Sequence, residues 1–237
     1  METMFDRSAT TGEIVVKFPR ASSLFKKYKI DFCCGGNRPI GEVLSEKNLN
    51  EAQVLNELQD LYDHTELQGN FTTDWKKISY QQLIDHIVDT HHNYLYKVLP
   101  ELEGFIKKVY RVHGHAHPEL EKVNYLFSAL KVELEQHMIL EENTIFNKIK
   151  EYEDTLLRQL LVDIVEFNQS LEEDHQNAGD LLRQIREATN DYTIPEDACT
   201  TYKLTYLKLD ELESDLFQHI HLENNVLFQR LAEEHQQ

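Results

Sequence analysis

The sequence predicts an all-α protein, an up-down-up-down four-helix bundle preceded by a small helical N-terminal domain. Only 8 glycines and 5 prolines occur among 237 residues, and good helix formers such as Leu, Glu, Lys and Gln are abundant. In addition, four segments after residue 78 repeat apolar residues at steps of three and four, which is the period of an amphipathic helix. Four such helices joined by short loops bury their apolar stripes against one another as an antiparallel bundle.

The charge and cysteine content narrow the class of protein. A net charge of −18 argues against binding to nucleic acid or to an anionic membrane surface. No apolar run approaches the roughly 18 residues of a membrane span, and the N-terminus lacks the pattern of a signal peptide. Three cysteines, two of them adjacent, do not form a disulfide framework. We therefore expect a cytoplasmic protein.

Residues 1–64 are predicted to form the small N-terminal domain. Short helices are expected over residues 11–28, with Pro19 opening the second, and over residues 39–46 and 50–63. Cys33 and Cys34 stand before two glycines in a tight turn. They are either small buried hydrophobes or a redox-active or metal-contacting pair, and composition does not decide between these. Because a domain of this size buries little apolar surface, it needs support from a partner or from the rest of the chain.

A polar linker over residues 65–77 precedes the bundle, which we assign to residues 78–237. The first long helix is predicted over 79–110, with a kink or a local break at Pro100. Three histidines at alternate positions follow in the loop 112–117, a pattern compatible with a metal site or with an ordinary exposed loop. The second helix spans 118–150 and has Pro118 as its first residue; the third spans 155–189. The fourth spans 195–231 and begins with Pro195.

Polar residues interrupt the apolar stripes of these helices. His137 and Glu141 lie four residues apart on the second helix, and His219 and Glu223 repeat this spacing on the fourth. Residues i and i+4 stack on one face of a helix, so each imidazole points into the core beside a carboxylate. A buried carboxylate is costly unless it is paired or bound to a metal.

The other two helices also carry histidine on their core faces. The third has His175, and the first has His91 and His92, which both border the stripe, so periodicity does not choose between them. Two acids and four histidines on four core faces predict a dinuclear cation site, in which each glutamate can bridge two ions. Nitrogen and oxygen donors without thiolate suit iron, manganese or zinc. The alternative is a metal-free bundle with hydrogen-bonded core histidines.

The chain resembles a known family at these residues. The pattern of a histidine, His-x3-Glu, a histidine and His-x3-Glu on four helices is similar to the hemerythrin-like domain. The segment Asp31-Phe32-Cys33-Cys34-Gly35-Gly36 resembles the N-terminal domain of the repair of iron centres (RIC) family, which includes the ScdA- and YtfE-type proteins. Residues 137–142, 196–201 and 219–228 are similar to the same family.

The resemblance implies a non-haem di-iron centre with oxo and carboxylate bridges, in which Glu141 and Glu223 bridge two iron ions. It selects His92 over His91, because Leu95 keeps the alignment. Asp174 stands where some members have glutamate, and its shorter arm is expected to place it behind a ligand rather than on the metal. His221 is expected to point away and be exposed. The implied ligands are His92, His137, Glu141, His175, His219 and Glu223.

The resemblance also implies a function. We expect repair of iron–sulfur clusters damaged by nitrosative or oxidative stress, through donation of iron rather than catalytic turnover. Cys33 and Cys34 then lie on the transfer route, as soft ligands or as a reductant. The expected partners are damaged iron–sulfur client proteins, and we expect a homodimer. The alternatives are a di-iron reductase or sensor of nitric oxide or oxygen, and an interaction module with core histidines.

Overall fold

The structure, a computed structural model, describes residues 5–66 and 74–237. Within these ranges the regular secondary structure is helical, apart from one isolated bridge between Thr10 and Pro39. The predicted all-α class is therefore confirmed. No helix in the described ranges combines the length and apolar character needed to cross a membrane. Residues 67–73, which make up much of the predicted linker, lie outside the described residues, so the predicted domain boundaries remain predictions.

The chain forms two compact units. The terminal unit consists of Met1–Ser79 together with Phe217–Gln237, and the central unit consists of Tyr80–Leu216. The helices of the N-terminal part are α1 (Thr11–Lys17), α2 (Ala21–Lys27), α3 (Ile40–Glu46) and α4 (Glu51–Glu66). These helices agree with the predicted ones to within a few residues.

The first of these helices begins at a reciprocal cap. The Thr10 hydroxyl accepts a hydrogen bond from the backbone N–H of Glu13, and the Glu13 carboxylate accepts one from the N–H of Thr10. Two N–H groups that have no partner inside the helix are satisfied in this way. The seven-residue helix therefore has a fixed start despite its short length.

The terminal unit has its own apolar core, to which the C-terminal part of the chain contributes. Phe25, Phe32 and Leu44 are almost completely buried in this core, and Phe217 packs against it. The rings of Phe32 and Phe217 meet edge to face with centroids 6.1 Å apart. The small N-terminal core therefore receives the support that its size required from the rest of the chain.

The last helix of the chain starts later than predicted. Helix α10 spans Thr200–Leu222, so the expectation that Pro195 is its first residue was wrong. The N–H of Ala198 bonds to the carbonyl of Pro195 and closes a single turn, whereas the carbonyl of Cys199 accepts from Lys203 and opens the helix. After α10 the chain continues through the segment Glu223–Phe228 into α11 (Gln229–His235).

The central unit contains antiparallel helices joined by short turns. The end of the first helix packs against the start of the second, and the second packs along the third. Helix α6 passes through Pro100, so the local break expected there is absent. The second helix runs on to Thr155 and ends where Leu156 takes a left-handed φ of 54°. These helices are α5 (Tyr80–Ile87), α6 (Asn93–His113), α7 (Glu119–Leu140), α8 (Phe146–Thr155), α9 (Arg158–Ala188) and α10 as far as Leu216.

Three short π-helical segments interrupt the long helices, at Val88–His92, Glu141–Ile145 and Glu223–Phe228. The N–H of Phe146 bonds to the carbonyl of Glu141, which spans five residues instead of the four of an α-helix. Such π-bulges insert an extra residue into a turn and are frequent at functional sites. Each of the three segments begins or ends at a predicted metal ligand.

Two contacts between polar side chains hold helix α10 in place within the central unit. The guanidinium of Arg186 on α9 forms a two-pronged hydrogen bond with Glu213, which is almost fully buried. On the opposite side, Nδ1 of His91 lies 2.9 Å from Oδ1 of Asp215. These directional contacts fix the rotation of α10 about its own axis, because breaking one would leave a charge in the core.

Candidate metal centre

Glu141 is the central side chain of the candidate site in the central unit. It is fully buried at the first position of its π-helical segment. Its Oε1 lies 3.2 Å from Nε2 of His137, and its Oε2 lies 3.4 Å from Nε2 of His92. The two oxygens of one carboxylate thus face two different imidazoles, from the second and the first helix.

His175 on helix α9 completes the set of predicted donors in this unit. Its Nε2 lies 2.9 Å from Nε2 of His137. The donor atoms of His137, Glu141 and His175 all lie within 4.8 Å of one another, and all three side chains are buried. Three helices therefore bring four of the predicted ligand residues to one place.

The outer ring nitrogen of His92 is held by an acid that follows Glu141 directly in the sequence. Nδ1 of His92 lies 2.8 Å from Oε1 of Glu142. A carboxylate only accepts hydrogen bonds, so Nδ1 of His92 donates to Glu142, and this contact turns Nε2 toward Glu141. The Tyr96 hydroxyl also donates to Glu142, at 3.2 Å, and burial, followed by the charge of Glu142, raises the pKa of Tyr96 to about 12.

Asp174 occupies the matching place beside His137. Its Oδ2 lies 3.4 Å from Nδ1 of His137, and about half of its side chain (49%) is exposed, against 31% for Glu142. A surface cavity of about 280 Å³ reaches Glu142 and is lined by acids that include Asp85 and Asp89. The sequence predicts that Asp174 lies behind a ligand, but it does not predict the contact of Glu142, which is marked only by its place next to a predicted ligand.

This donor set fits a metal cation. The carboxylate of Glu141 is fully buried, and its two oxygens lie 3.2 Å from Nε2 of His137 and 3.4 Å from Nε2 of His92. A cation held by these donors would offset the cost of burying the charge of Glu141. Carboxylates behind His92 and His137 are also typical of metal-binding histidines, because they fix the tautomer and strengthen the ligand.

The terminal unit carries the second predicted His-x3-Glu pair. Nε2 of His219 lies 2.9 Å from Oε1 of Glu223, and both side chains are buried. The four-residue spacing brings the two groups together across the junction of helix α10 and the last π-helical segment.

The predicted cysteines lie in a turn of the terminal unit, residues 31–36, which we call the cysteine turn. The two carboxylate oxygens of Asp31 accept hydrogen bonds from the N–H groups of Cys33 and Gly35, each at 2.9 Å. Cys33 is buried, Cys34 is half-buried, and their sulfurs lie 3.9 Å apart. Hydrogen bonding to Cys34, then burial, raises the pKa of Cys33 well above its ordinary value. The Cys33 thiol is therefore protonated and unreactive in this conformation.

His221 is buried, and the expectation that it is exposed was wrong. Only 2% of it is accessible, and its Nδ1 donates to the backbone carbonyl of Phe32 at 3.2 Å. The N-terminal part of the terminal unit covers this side of the helix, so the supposed outer face is a second core face. Burial lowers the pKa of His221 to about 4, so the ring is neutral at neutral pH.

Asn225 also contacts the cysteine turn. Its side-chain amide donates to the carbonyls of Phe32, at 3.3 Å, and Cys33, at 2.9 Å. Neither His221 nor Asn225 has a role that the sequence predicts, because their partners lie about 190 residues away and no local pattern connects them.

The remaining histidine and cysteine candidates lie at the other end of the bundle. Nε2 of His113 is 3.3 Å from the sulfur of the exposed Cys199. Nε2 of His117 contacts Asp197 at 3.0 Å, and its Nδ1 contacts Glu119 at 3.1 Å. Two of the three histidines predicted in the loop 112–117 thus contact neighbouring side chains, and one of them, His113, is the last residue of α6.

The chain is similar to two protein families over adjoining parts of its length. Residues 7–62 match the ScdA_N family, described as a "Domain of Unknown function (DUF542)". Residues 83–231, more than half of the chain, match the family described as "Hemerythrin HHE cation binding domain". The cation-binding domain therefore includes every ligand position predicted from the sequence.

Curated relatives are similar over almost the whole chain. The "Iron-sulfur cluster repair protein ScdA" of Staphylococcus epidermidis is 33% identical over 230 residues, which cover 97% of this chain and all of the relative. The "Iron-sulfur cluster repair protein YtfE" of Escherichia coli O17:K52:H18 is 36% identical over 224 residues, covering 94% and 96%. ScdA of Staphylococcus haemolyticus is 33% identical over 229 residues, covering 97% of this chain and all of the relative.

Proposed function

Because the chain belongs to the family of the ScdA and YtfE iron–sulfur cluster repair proteins, we propose that it repairs damaged iron–sulfur clusters. The observation that carries this proposal is the buried convergence of His92, His137 and His175 around Glu141. A buried cluster of imidazole and carboxylate donors is suited to binding a metal ion. The relatives are named for the repair of iron–sulfur clusters, which contain iron.

We further propose that two iron ions occupy the site. Each oxygen of Glu141 faces a different histidine, which suits a carboxylate that bridges two ions. The pair of His219 and Glu223 supplies a second set of the same donor types within the same cation-binding domain. When bound, iron would supply the material for repair and one-electron chemistry. The six proposed ligands are His92, His137, Glu141, His175, His219 and Glu223.

The protein's own residues suit storage and release of iron. Glu142 and Asp174 hold the rings of His92 and His137 with their Nε2 atoms inward, so the donors are oriented before iron binds. Imidazole and carboxylate are exchangeable ligands, and no cysteine belongs to the proposed set. We propose that iron released from the site passes to a damaged client cluster through Cys33 and Cys34, which are softer ligands.

The test combines iron content with iron transfer. We expect about two irons per chain in the protein purified from iron-replete cells, and loss of both in the Glu141→Ala, Glu223→Ala double variant. As a matched control, Glu121→Ala with Glu211→Ala removes one exposed carboxylate from each of the same two helices. Loaded protein should restore activity to a dehydratase whose cluster lacks one iron, and the double variant should not. A well-folded protein without stoichiometric metal contradicts the proposal.

The complete burial of His92 and Glu141 favours one other function. Donors that are fully enclosed suit a ligand as small as nitric oxide or oxygen, and thus a di-iron reductase or sensor. Repeated consumption of nitric oxide with a defined electron donor, without transfer of iron to the dehydratase, would identify that function.

Location and assembly complete the proposal. We propose a cytoplasmic protein, in keeping with three cysteines that form no disulfide, and a homodimer that meets damaged iron–sulfur proteins as transient partners. Light scattering of the purified protein tests the dimer, and recovery of iron–sulfur enzymes by cross-linking in stressed cells tests the partners.

A further inference from the structure

Asn225 joins the cysteine turn to the segment that carries Glu223. Its amide nitrogen donates to the carbonyls of Phe32 and Cys33, at 3.3 and 2.9 Å, so one side chain binds two successive peptide groups of the turn. The Nδ1 of His221, one helical turn earlier, donates to the same Phe32 carbonyl at 3.2 Å. The backbone on both sides of Cys33 is thus held by the helix and not only by its own chain neighbours.

The amide of Asn225 sits in a space that two glycines leave open. A Cβ atom added to Gly36 would lie 2.5 Å from Oδ1 of Asn225, and one added to Gly12 would lie 2.6 Å from it. The N–H of Gly12 also bonds to the carbonyl of Gly36 at 2.7 Å, so the two glycines form one wall. A side chain at either position would displace Asn225, and the turn is therefore shaped to receive this amide.

Asn225 and Glu223 belong to the same π-helical segment, two residues apart. Atoms within one helical turn move together, because their backbone groups share its hydrogen bonds. π-helical turns are rare and occur frequently at functional sites. Less than one turn of backbone therefore separates Glu223 from the side chain that holds the cysteine turn.

We propose that Asn225 is a positioning residue that links iron binding at Glu223 to the exposure of Cys33 and Cys34. This inference rests on the proposed function. While Glu223 holds iron, Asn225 keeps the cysteine turn closed and the thiols are protected. When iron leaves, the π-helical segment relaxes, the two hydrogen bonds to the turn break, and the thiols become accessible.

The test measures alkylation of each cysteine by iodoacetamide, resolved by peptide mass spectrometry, in iron-loaded and iron-free full-length protein. Cys199, which is exposed, serves as the internal reference. In the wild type, removal of iron should accelerate alkylation of Cys33 and Cys34 about tenfold, since loss of one or two hydrogen bonds changes an opening equilibrium by about that factor. In Asn225→Ala the loaded protein should already react at the iron-free rate.

Two further variants make the comparison specific. Asn225→Asp keeps the shape of the side chain but cannot donate to the carbonyls, so its loaded form should also react at the iron-free rate. This variant tests the same hydrogen bonds if the smaller side chain of Asn225→Ala impairs folding. Arg230→Ala removes a hydrogen bond from the same C-terminal segment to the carbonyl of Trp75 and should keep the tenfold response of the wild type.

The outcomes separate this inference from the proposed function. If the Asn225 variants bind two irons and still respond to iron like the wild type, the link through Asn225 is refuted while the di-iron site stands. If no variant and no wild-type protein binds iron, the proposed function and the link to iron both fail. Equal, slow alkylation of iron-loaded wild type and iron-loaded Asn225 variants would show that Asn225 does not close the turn.

Discussion

Glu142, which contacts His92, should contribute more to the affinity for iron than Asp174, which contacts His137. Glu142→Gln keeps the size of the side chain next to Nδ1 of His92 but replaces a charged acceptor with a neutral one. Asp174→Asn makes the same change next to His137. Neither substitution removes a proposed ligand, so each one reports how well a ligand ring is oriented and how strongly it donates.

The structure ranks the two effects. Hydrogen bonds to charged groups contribute about 1 kcal/mol more than neutral ones, which corresponds to about fivefold in a dissociation constant. Glu142 makes a 2.8 Å contact and is 31% exposed, so we expect Glu142→Gln to weaken iron binding about three- to fivefold. Asp174 is 3.4 Å from its ring and half exposed, so Asp174→Asn should cost about twofold or less. Glu142→Ala, which removes the contact entirely, should cost about 10–100-fold.

Competition with a chromophoric iron(II) chelator at fixed pH measures these dissociation constants. Glu121→Gln, an exposed change at the start of the same helix, is the control and should match the wild type. Circular dichroism and the thermal midpoint show whether each variant is folded. A larger effect for Asp174→Asn than for Glu142→Gln would refute the reasoning, because distance and exposure would then not govern the contribution of these acids.

Two further predictions concern stability and pH. Arg186→Met leaves Glu213 buried without its partner and should lower the free energy of unfolding by about 3–5 kcal/mol. In urea titrations, adding Glu213→Leu should recover most of this loss. A double variant as unstable as Arg186→Met would contradict this explanation. Hydrogen bonding to Asp197, then to Glu119, raises the pKa of His117, so the stabilisation from this contact should be complete below about pH 6.5 and lost as the pH rises through the raised pKa. His117→Ala should therefore lower the urea midpoint more at pH 6 than at pH 9, and an equal loss at both would rule out the charged contact.

Much of the fold could be predicted from the sequence, because helical periodicity is a local property. The apolar stripes predicted the long helices, and His137 and Glu141 were recognisable as polar residues that interrupt the stripe of the second helix. Helix ends were harder to predict, since Leu156 adopts a left-handed conformation that its residue type does not favour. The π-helical segments could not be predicted, because an i to i−5 hydrogen bond has no residue preference comparable to a cap.

The residues of the candidate site also differ in whether the sequence predicts them. The pair of His137 and Glu141 and the pair of His219 and Glu223 follow from a four-residue spacing on a helix, which the sequence determines directly, whereas periodicity did not choose between His91 and His92. The contacts of His221 and Asn225 depend on which distant segment covers the helix, and amphipathic patterning identifies a buried face only when that face is apolar. A helix with two core faces, one of them polar, looks half exposed in sequence.

The division of the terminal unit between the two parts of the chain has a consequence for synthesis on the ribosome. Domains usually fold as they emerge, with the N-terminal ones first. Here the N-terminal helices are synthesised before Phe217 and Asn225, which pack on them and hold the cysteine turn. We therefore expect the cysteine turn to gain these contacts only after the segment that carries Asn225 has emerged from the ribosome.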